Sequence, residues 1–298
     1  MAKTGSPAQS SSGEEASDTD KISRPMNPAV HPIDVVRVGP TRGAPVSDVA
    51  ATEEPLEIRL GGLPFVVIMR TPGSDRELAA GFLLSEQIVR QPSEIAAMRY
   101  CTDDDGHETS NVLNVWLEGE AATRAAAAVA GKRHVTASSS CGVCGRRSID
   151  DLMEGVRPLA STWTVSQAVV SGMPDRLRAG QRAFDETGGI HAAGLFARDG
   201  SLVAIAEDVG RHNAVDKITG AELLAGRLPL SERLLFVSGR TSFEIVQKAV
   251  CAGVSVVASV SAPSSLAIDL ARDANLTLLG FVRGGTFNIY TGAGRVAV

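Results

Sequence analysis

The sequence predicts an α/β protein, α+β over its whole length, divided into two lobes. Three observations carry that prediction. From residue 233 onward, strand-length apolar runs alternate with helical patterns (RLLFVSG, SFEIVQKAVCAG, VSVVASV, SSLAIDLARDA, LTLLGFV), and this order implies a parallel sheet with right-handed helical crossovers. Between residues 56 and 131 the pattern differs, with hairpin-like and helical segments mixed. Finally, 298 residues with 44% hydrophobic content suffice to bury a sizeable core in two parts.

Residues 1–30 combine Ser, Pro, Gly and acidic side chains with few large apolar ones. Such a segment cannot offset its ordering entropy and reads as a disordered tail. In the first lobe, 31–160, LEIRL, the Gly61-Gly62 turn and PFVVIMR read as a hairpin. Ser74 and Glu77 form an S-x-x-E capping box ahead of LAAGFLLSEQI, whose apolar residues recur at helical spacing. Beyond the polar stretch TDDDGHETS, NVLNVWL is a strand and AATRAAAAVAG an alanine-rich helix. RHVTASSS then runs as a strand into two cysteines and SIDDLMEGV opens another helix, so the cysteines occupy a glycine-flanked loop. In the second lobe, 161–298, VSQAVVSGMPDRLRAG reads as a helix interrupted near Pro174. IHAAGLFA, the turn RDG and SLVAIAED form a hairpin, and HNAVDKITGAELLAG is the helix before the alternating elements.

No run approaches the ~20 apolar residues a membrane-spanning helix needs, and the first twenty residues lack the apolar core of a secretory signal. The expected address is the cytoplasm. A formal charge of −5, from 29 basic and 34 acidic residues, argues against general nucleic-acid binding but permits a local basic pocket. Four cysteines are too few for a disulfide framework, so the close pair points to chemistry or metal.

Loops leaving parallel strands emerge at one edge of the sheet, where ligands bind in open α/β folds. Here those loops are SGRTS (238–242), SAPSS (261–265) and RGGT (283–286). The first two lead into helix N-termini, whose free N–H groups and hydroxyls receive anionic oxygens, and Arg240 and Arg283 add charge. The alternative for each loop alone is helix capping by the serines and solvation of the arginines.

The pair Cys141-Gly-Val-Cys144 admits several chemistries. Structural zinc needs a second ligand pair, and Cys101, Cys251 and the five histidines supply none at that spacing. A redox dithiol ordinarily starts a helix, which Gly142 and Gly145 disfavour. The third reading is a mobile nucleophile that carries a group between proteins, its thiolate favoured by Arg146, Arg147 and His134. His191, in GGIHAAG, either faces a polar site or fills the core. His212 stands with Glu207, Asp208, Arg211 and Asn213 in EDVGRHNAVDK, a cluster that equally describes a hydrogen-bonded helix start.

Taken together, FDETGGIHAAG, EDVGRHNAVDK, SGRTSFEIVQKA, GFVRGGTFNIYTG and SSSCGVCG resemble the formate dehydrogenase accessory sulfurtransferases, the FdhD family, from about residue 50 to the C-terminus. The resemblance implies a cytoplasmic, homodimeric sulfur carrier. It would accept persulfide sulfur from a cysteine desulfurase and pass it to the molybdenum bis(molybdopterin guanine dinucleotide) cofactor, bound as substrate, for formate dehydrogenase. It further implies a cytidine deaminase-like second lobe with a central mixed sheet flanked by helices, Cys141 as persulfide carrier and Cys144 as its helper. Contact with the cofactor falls to Phe281, Val282, Arg283, Gly284, Gly285 and Thr286; the family's stretch can end in a basic residue where this chain has Thr286. Deaminase activity is not implied, because His191 is followed by Ala192 and Ala193 rather than by x-Glu. With Arg240 and Ser261 from the loop argument, and the candidate histidines His191 and His212, these residues make the expected binding edge, for which GDP is a mimic. The rival readings are a thiol–disulfide oxidoreductase and a zinc-binding nucleotide scaffold.

Overall fold

A computed structural model describes residues 27–102, 105–132 and 158–297. The tail up to residue 26, the strand expected at 133–140, Cys141, Cys144 and the helix expected at 148–156 lie outside the described residues.

The first two elements, β1 (Val30–Val38) and β2 (Arg42–Ala51), pair as an antiparallel hairpin. They were not anticipated, because their side chains are mostly exposed and alternate weakly. β3 (Glu54–Leu60) and β4 (Leu63–Arg70) form the predicted hairpin across Gly61 and Gly62, both at positive φ, where only glycine is unstrained. Two further strands, β5 (Ile95–Thr102) and β6 (Glu108–Leu117), complete a sheet of order β4-β3-β6-β5 in which β3 and β6 run parallel.

The helix α1 (Asp75–Ser85) forms where helical spacing predicted it, but not with the predicted cap. Ser74 adopts φ 55°, ψ 37° and its hydroxyl makes no capping bond. A capping serine needs extended backbone to aim its oxygen at the first turn. Asp75 instead receives the Arg70 guanidinium at 3.0 and 2.9 Å and the Tyr100 hydroxyl at 3.0 Å. The helix α2 (Gly119–Lys132) follows, as its alanines require.

Helix α3 (Gln167–Arg178) runs unbroken through Pro174, which corrects the expected interruption. Ser166 caps its N-terminus by accepting from the Val169 N–H. After the short α4 (Arg182–Thr187) come β8 (His191–Ala197) and β9 (Leu202–Asp208), preceded by the two-residue β7 (Val165–Ser166). The remaining order is α5 (Arg211–Leu224), β10 (Arg233–Val237), α6 (Phe243–Cys251), β11 (Val256–Ser259), α7 (Ser265–Asp273), β12 (Thr277–Arg283), β13 (Thr286–Thr291) and β14 (Val296–Ala297). Six strands form one mixed sheet of order β13-β12-β11-β10-β8-β9; β10, β11 and β12 are parallel and the outer pairings antiparallel. This is the mixed α+β architecture the sequence predicts, with β13 as an unanticipated edge strand.

Strand alternation divides the apolar residues between the sheet's two faces. Leu234, Phe236, Val256 and Ala258 pack with Val170, Met173 and Leu177 of α3. Leu235, Val237 and Val257 join α5, α6 and α7 in a cluster that continues through α1 to Leu56, Ile58 and Leu113 of the four-stranded sheet. Where α1 crosses α5 the backbones nearly touch: a Cβ at Gly81 would lie 2.0 Å from the Asp216 carbonyl oxygen, and one at Gly220 would lie 1.9 Å from that of Glu77. Lys248 bridges the same junction, donating to both Asp216 carboxylate oxygens at 2.7 Å and to Ser85 Oγ at 3.0 Å.

Candidate functional site: the C-terminal edge of the six-stranded sheet

Because β10, β11 and β12 are parallel, the three expected loops leave the sheet on one side, and hydrogen bonds tie each to the next. Thr241 N–H donates to Ala262 O at 3.2 Å, Ser264 N–H to Thr241 O at 3.0 Å, and Phe281 N–H to Ser261 O at 3.2 Å. Antiparallel β8 brings its first residue to the same edge, where Ser238 N–H donates to Ala192 O and Ala192 N–H to Ser238 Oγ. His191 pairs with Asp208 at the end of β9, so α5 also begins there. The structure therefore gathers His191, His212, Arg240, Ser261 and the stretch 281–286 at one edge.

That stretch has an unusual backbone. Phe281 has φ 55°, a left-handed conformation that is strained for a bulky residue and clusters at functional sites. A register shift between Gly280 and Arg283 accompanies it. Gly280 is obligatory beside it, since a Cβ there would come within 3.0 Å of both Tyr290 Cε2 and Ser261 O. Val282 is buried beneath the sheet, and Gly284 and Gly285, at φ 57° and 79°, turn the chain into Thr286 at the start of β13. Arg283 is exposed, its guanidinium carbon 5.6 Å from the Phe281 ring centroid.

The acidic half of EDVGRHNAVDK serves the fold. Glu207 accepts from the N–H groups of Ala183 and Phe184, which caps α4. Asp208 is fully buried and accepts from Thr71 N–H, Gly210 N–H, Asn213 Nδ2 and Lys217 Nζ at 2.8 to 3.1 Å. His212 faces the other way: its Nε2 lies 2.8 Å from Glu244 Oε2 and 2.9 Å from Ser242 Oγ, both at the start of α6. Burial pushes the Glu244 carboxyl up, but the His212 contact and charge prevail and hold it below the usual carboxylate range. His191 is shifted down, first by burial and then by the positive charges of Arg211 and His212, against a smaller opposing effect of Asp208. It therefore stands as neutral imidazole at neutral pH.

Beside this edge a cleft of about 670 Å³ opens on the α3 side, lined by Arg178, Phe184, His191, Val209, Ser238 and Val260. The Arg178 guanidinium lies over the Phe184 ring at 4.7 Å. Arg211, Arg240 and Arg283 have no ion-pair partner among the described residues, so the edge presents positive charge and hydroxyls. Ser264 caps α7 by accepting from Ala267 N–H, as the capping alternative expected, whereas the starts of α5 and α6 have no side-chain cap. Such a surface suits an anionic, phosphate-bearing ligand. Among the described residues no three His, Cys, Asp or Glu side chains are grouped to hold a metal ion. Of the other cysteines, Cys101 and Cys251 are half-buried; Cys251 lines a separate cavity of about 700 Å³ with Trp163 and Gln247, at the opposite edge.

Sequence reading misses Glu244 as a site residue, and places Arg211 and Ser242 in the His212 cluster and the 238–242 loop without a role of their own. Their only sequence signal is membership of the same long motifs, because pairing across 30 residues has no local signature.

The FdhD/NarQ family profile matches residues 51–297. The chain is 49% identical over 266 residues to the sulfur carrier protein FdhD of Nocardia farcinica, covering 88% of this chain and 93% of that one. It is 50% identical over 256 residues to the sulfur carrier protein FdhD of Streptomyces coelicolor, covering 84% and 90%. A crystal structure of a candidate formate dehydrogenase accessory protein from Desulfotalea psychrophila shares the fold, with TM-score 0.70 at 24% identity over 91% of this chain and all of that one. The chain belongs to the FdhD/NarQ family.

Proposed function

We propose that this protein is a sulfur carrier that activates formate dehydrogenase by sulfurating its molybdenum cofactor. The Cys141 thiolate attacks the outer sulfur of a cysteine desulfurase persulfide; that S–S bond breaks, the desulfurase thiolate leaves, and Cys141 becomes the persulfide. Cys144 assists release of the sulfur. The acceptor is the molybdenum bis(molybdopterin guanine dinucleotide) cofactor, held as substrate at the C-terminal edge of the six-stranded sheet. The protein works in the cytoplasm as a homodimer.

One observation carries the substrate half of this reading. Arg240 and Arg283 stand without carboxylate partners where three loops and two helix N-termini converge, and the ligand's two guanine dinucleotides bring several phosphates. Phe281, Val282, Gly284, Gly285 and Thr286 shape the contact beside Arg283. Ser261, His191 and His212 complete the edge. The carrier half rests on the SSSCGVCG motif and on the similarity to sulfur carrier proteins FdhD. A glycine follows each cysteine, Gly142 and Gly145, and basic neighbours favour the anionic persulfide.

Incubation with a cysteine desulfurase and its substrate should add the mass of one or more sulfur atoms to the intact protein, reversibly by thiol reductant. Cys141→Ala should abolish the gain without lowering the melting temperature, whereas Cys144→Ala should reduce it less. Unchanged loading in Cys141→Ala sinks the assignment. Reduction of a test disulfide without any sulfur gain supports the oxidoreductase alternative instead.

A further inference from the structure

We propose that Arg211 is a phosphate-binding residue of this edge, its guanidinium holding an anionic oxygen of the ligand beside His191 and the bare backbone of Gly239. The proposal deepens the substrate half of the function above and rests on it.

The argument begins with an unsatisfied donor. Arg211 is half-buried, its Nε is buried, and that nitrogen has no hydrogen-bond partner. Three other arginines that lose solvent are engaged: Arg70 reaches Asp75 and Glu54, Arg124 reaches Glu94 and Glu120, and Arg295, whose Nε is likewise buried without a partner, still reaches Thr277 Oγ1 and the Ser161 carbonyl. Half-buried Arg233, at the start of β10, resembles Arg211 in having no ion pair among the described residues. The carboxylate beside Arg211 in sequence is unavailable, because Asp208 already accepts from four donors and is neutralised by Lys217.

Position makes the charge costlier still. Arg211 is the first residue of α5, which has no acidic side chain in its first turn and no side-chain cap on Gly210. A cation there opposes the helix dipole. Glu244, in the first turn of α6, is already taken up by His212 at 2.8 Å and so is not available to Arg211. An uncompensated, partly desolvated cation at such a point is retained where an anion completes it.

The surroundings leave room for that anion. A Cβ at Gly239 would sit 3.4 Å from the His191 ring and 3.6 Å from Arg211 Cδ, so the glycine keeps the space between them clear. Two residues on, Thr241 is fully buried and its Oγ1 also lacks a partner. Arg211 Nε and Thr241 Oγ1 are thus two buried polar atoms without a partner, on one helix start and one loop of the same edge.

The test uses the full chain and three probes: GDP, inorganic pyrophosphate and guanosine. Wild type should bind GDP and be stabilised by pyrophosphate. Arg211→Met should weaken both by about ten-fold or more, the loss expected for one charge-assisted contact, leave any guanosine affinity unchanged, and melt at or above the wild-type temperature without ligand. Arg211→Lys should melt as wild type and recover part of the affinity. Pyrophosphate binding that depends on Arg211 in a protein that ignores GDP would keep this site and remove the guanine nucleotide reading. GDP binding indifferent to Arg211→Met would keep that reading and overturn this one. Absence of any anion binding by wild type, or melting temperature and affinity falling together in both variants, would also overturn it.

Discussion

Charges in two regions of this molecule are handled in opposite ways. At the junction of the two sheets every charge is answered: Arg70 by Asp75, Asp208 by Lys217 and Asp216 by Lys248, each with further hydrogen bonds. At the C-terminal edge of the six-stranded sheet, Arg211, Arg240 and Arg283 have no such partner among the described residues. Interior charges must be paired, since an unpaired one forfeits solvation without return. Arg240 and Arg283 are exposed and keep their solvation, so the rule bears on half-buried Arg211, while the other two add charge at the same edge. The contrast separates residues that hold the fold from residues that hold a ligand, although both kinds occur within the single stretch EDVGRHNAVDK.

The sharpest way to break the comparison is to unpair an interior charge. Lys248→Met leaves the Asp216 carboxylate buried without its cation and should cost about 3 to 5 kcal/mol in urea unfolding. Burial already pushes the Asp216 pKa up, with Lys248 opposing. In the variant the folded pKa rises further above the unfolded value, so the deficit should shrink as pH falls through the acidic range and Asp216 takes up a proton. A loss below about 1 kcal/mol, the range of an exposed pair, would show that the junction is hydrated and that the distinction drawn above is false.

Next comes the reciprocal experiment at the edge. Arg283→Ala should leave unfolding and sulfur loading at Cys141 unchanged, but weaken isolated cofactor or GDP binding by roughly 1.5 to 3 kcal/mol, about ten-fold or more. Loading and affinity falling together, or affinity standing unchanged, would contradict the separation of carrier and substrate sites.

How much of this was legible in sequence follows the same division. The parallel strands announced themselves because β10 and β11 are buried on both faces and read as continuous apolar runs such as LLFV and VVAS. That reading alone placed residues 238–242, 261–265 and 283–286 on one edge. The exposed β1–β2 hairpin and the edge strand β13 escaped, since neither alternates cleanly between apolar and polar side chains. Ser74 misled because a capping motif states composition while the cap requires a backbone angle. Arg211 could not be told from a solvated helix start until Asp208 was seen to be fully occupied. His212 likewise acquired its role only when α6 brought Glu244 alongside. Local order was readable; pairing across the fold was not.

The smallest effect concerns His191, an imidazole beside the arginines of the edge. Its folded pKa lies below the ordinary value of 6.5, chiefly through burial, with Arg211 and His212 acting in the same direction and Asp208 against them. The unfolded chain therefore binds a proton first as pH falls. Stability should decline as pH drops through about 6.5 and stop declining once the pH passes below the folded pKa. Glu244 contributes a separate loss, because its lowered folded pKa makes its stabilisation fade only as pH falls below its ordinary 4.5. Unfolding measured between about pH 5 and 8 isolates the histidine, and His191→Gln should flatten the slope there. A bound phosphate should offset the positive field of Arg211 and draw the His191 pKa upward, so ligand binding takes up a proton in this window. GDP affinity of wild type should accordingly rise as pH is lowered from about 8 toward 6, and His191→Gln should lose that rise while retaining binding at the alkaline end. Identical pH profiles in the two proteins would mean that no anion settles near the imidazole, and the unpaired cations of the edge would then need another explanation.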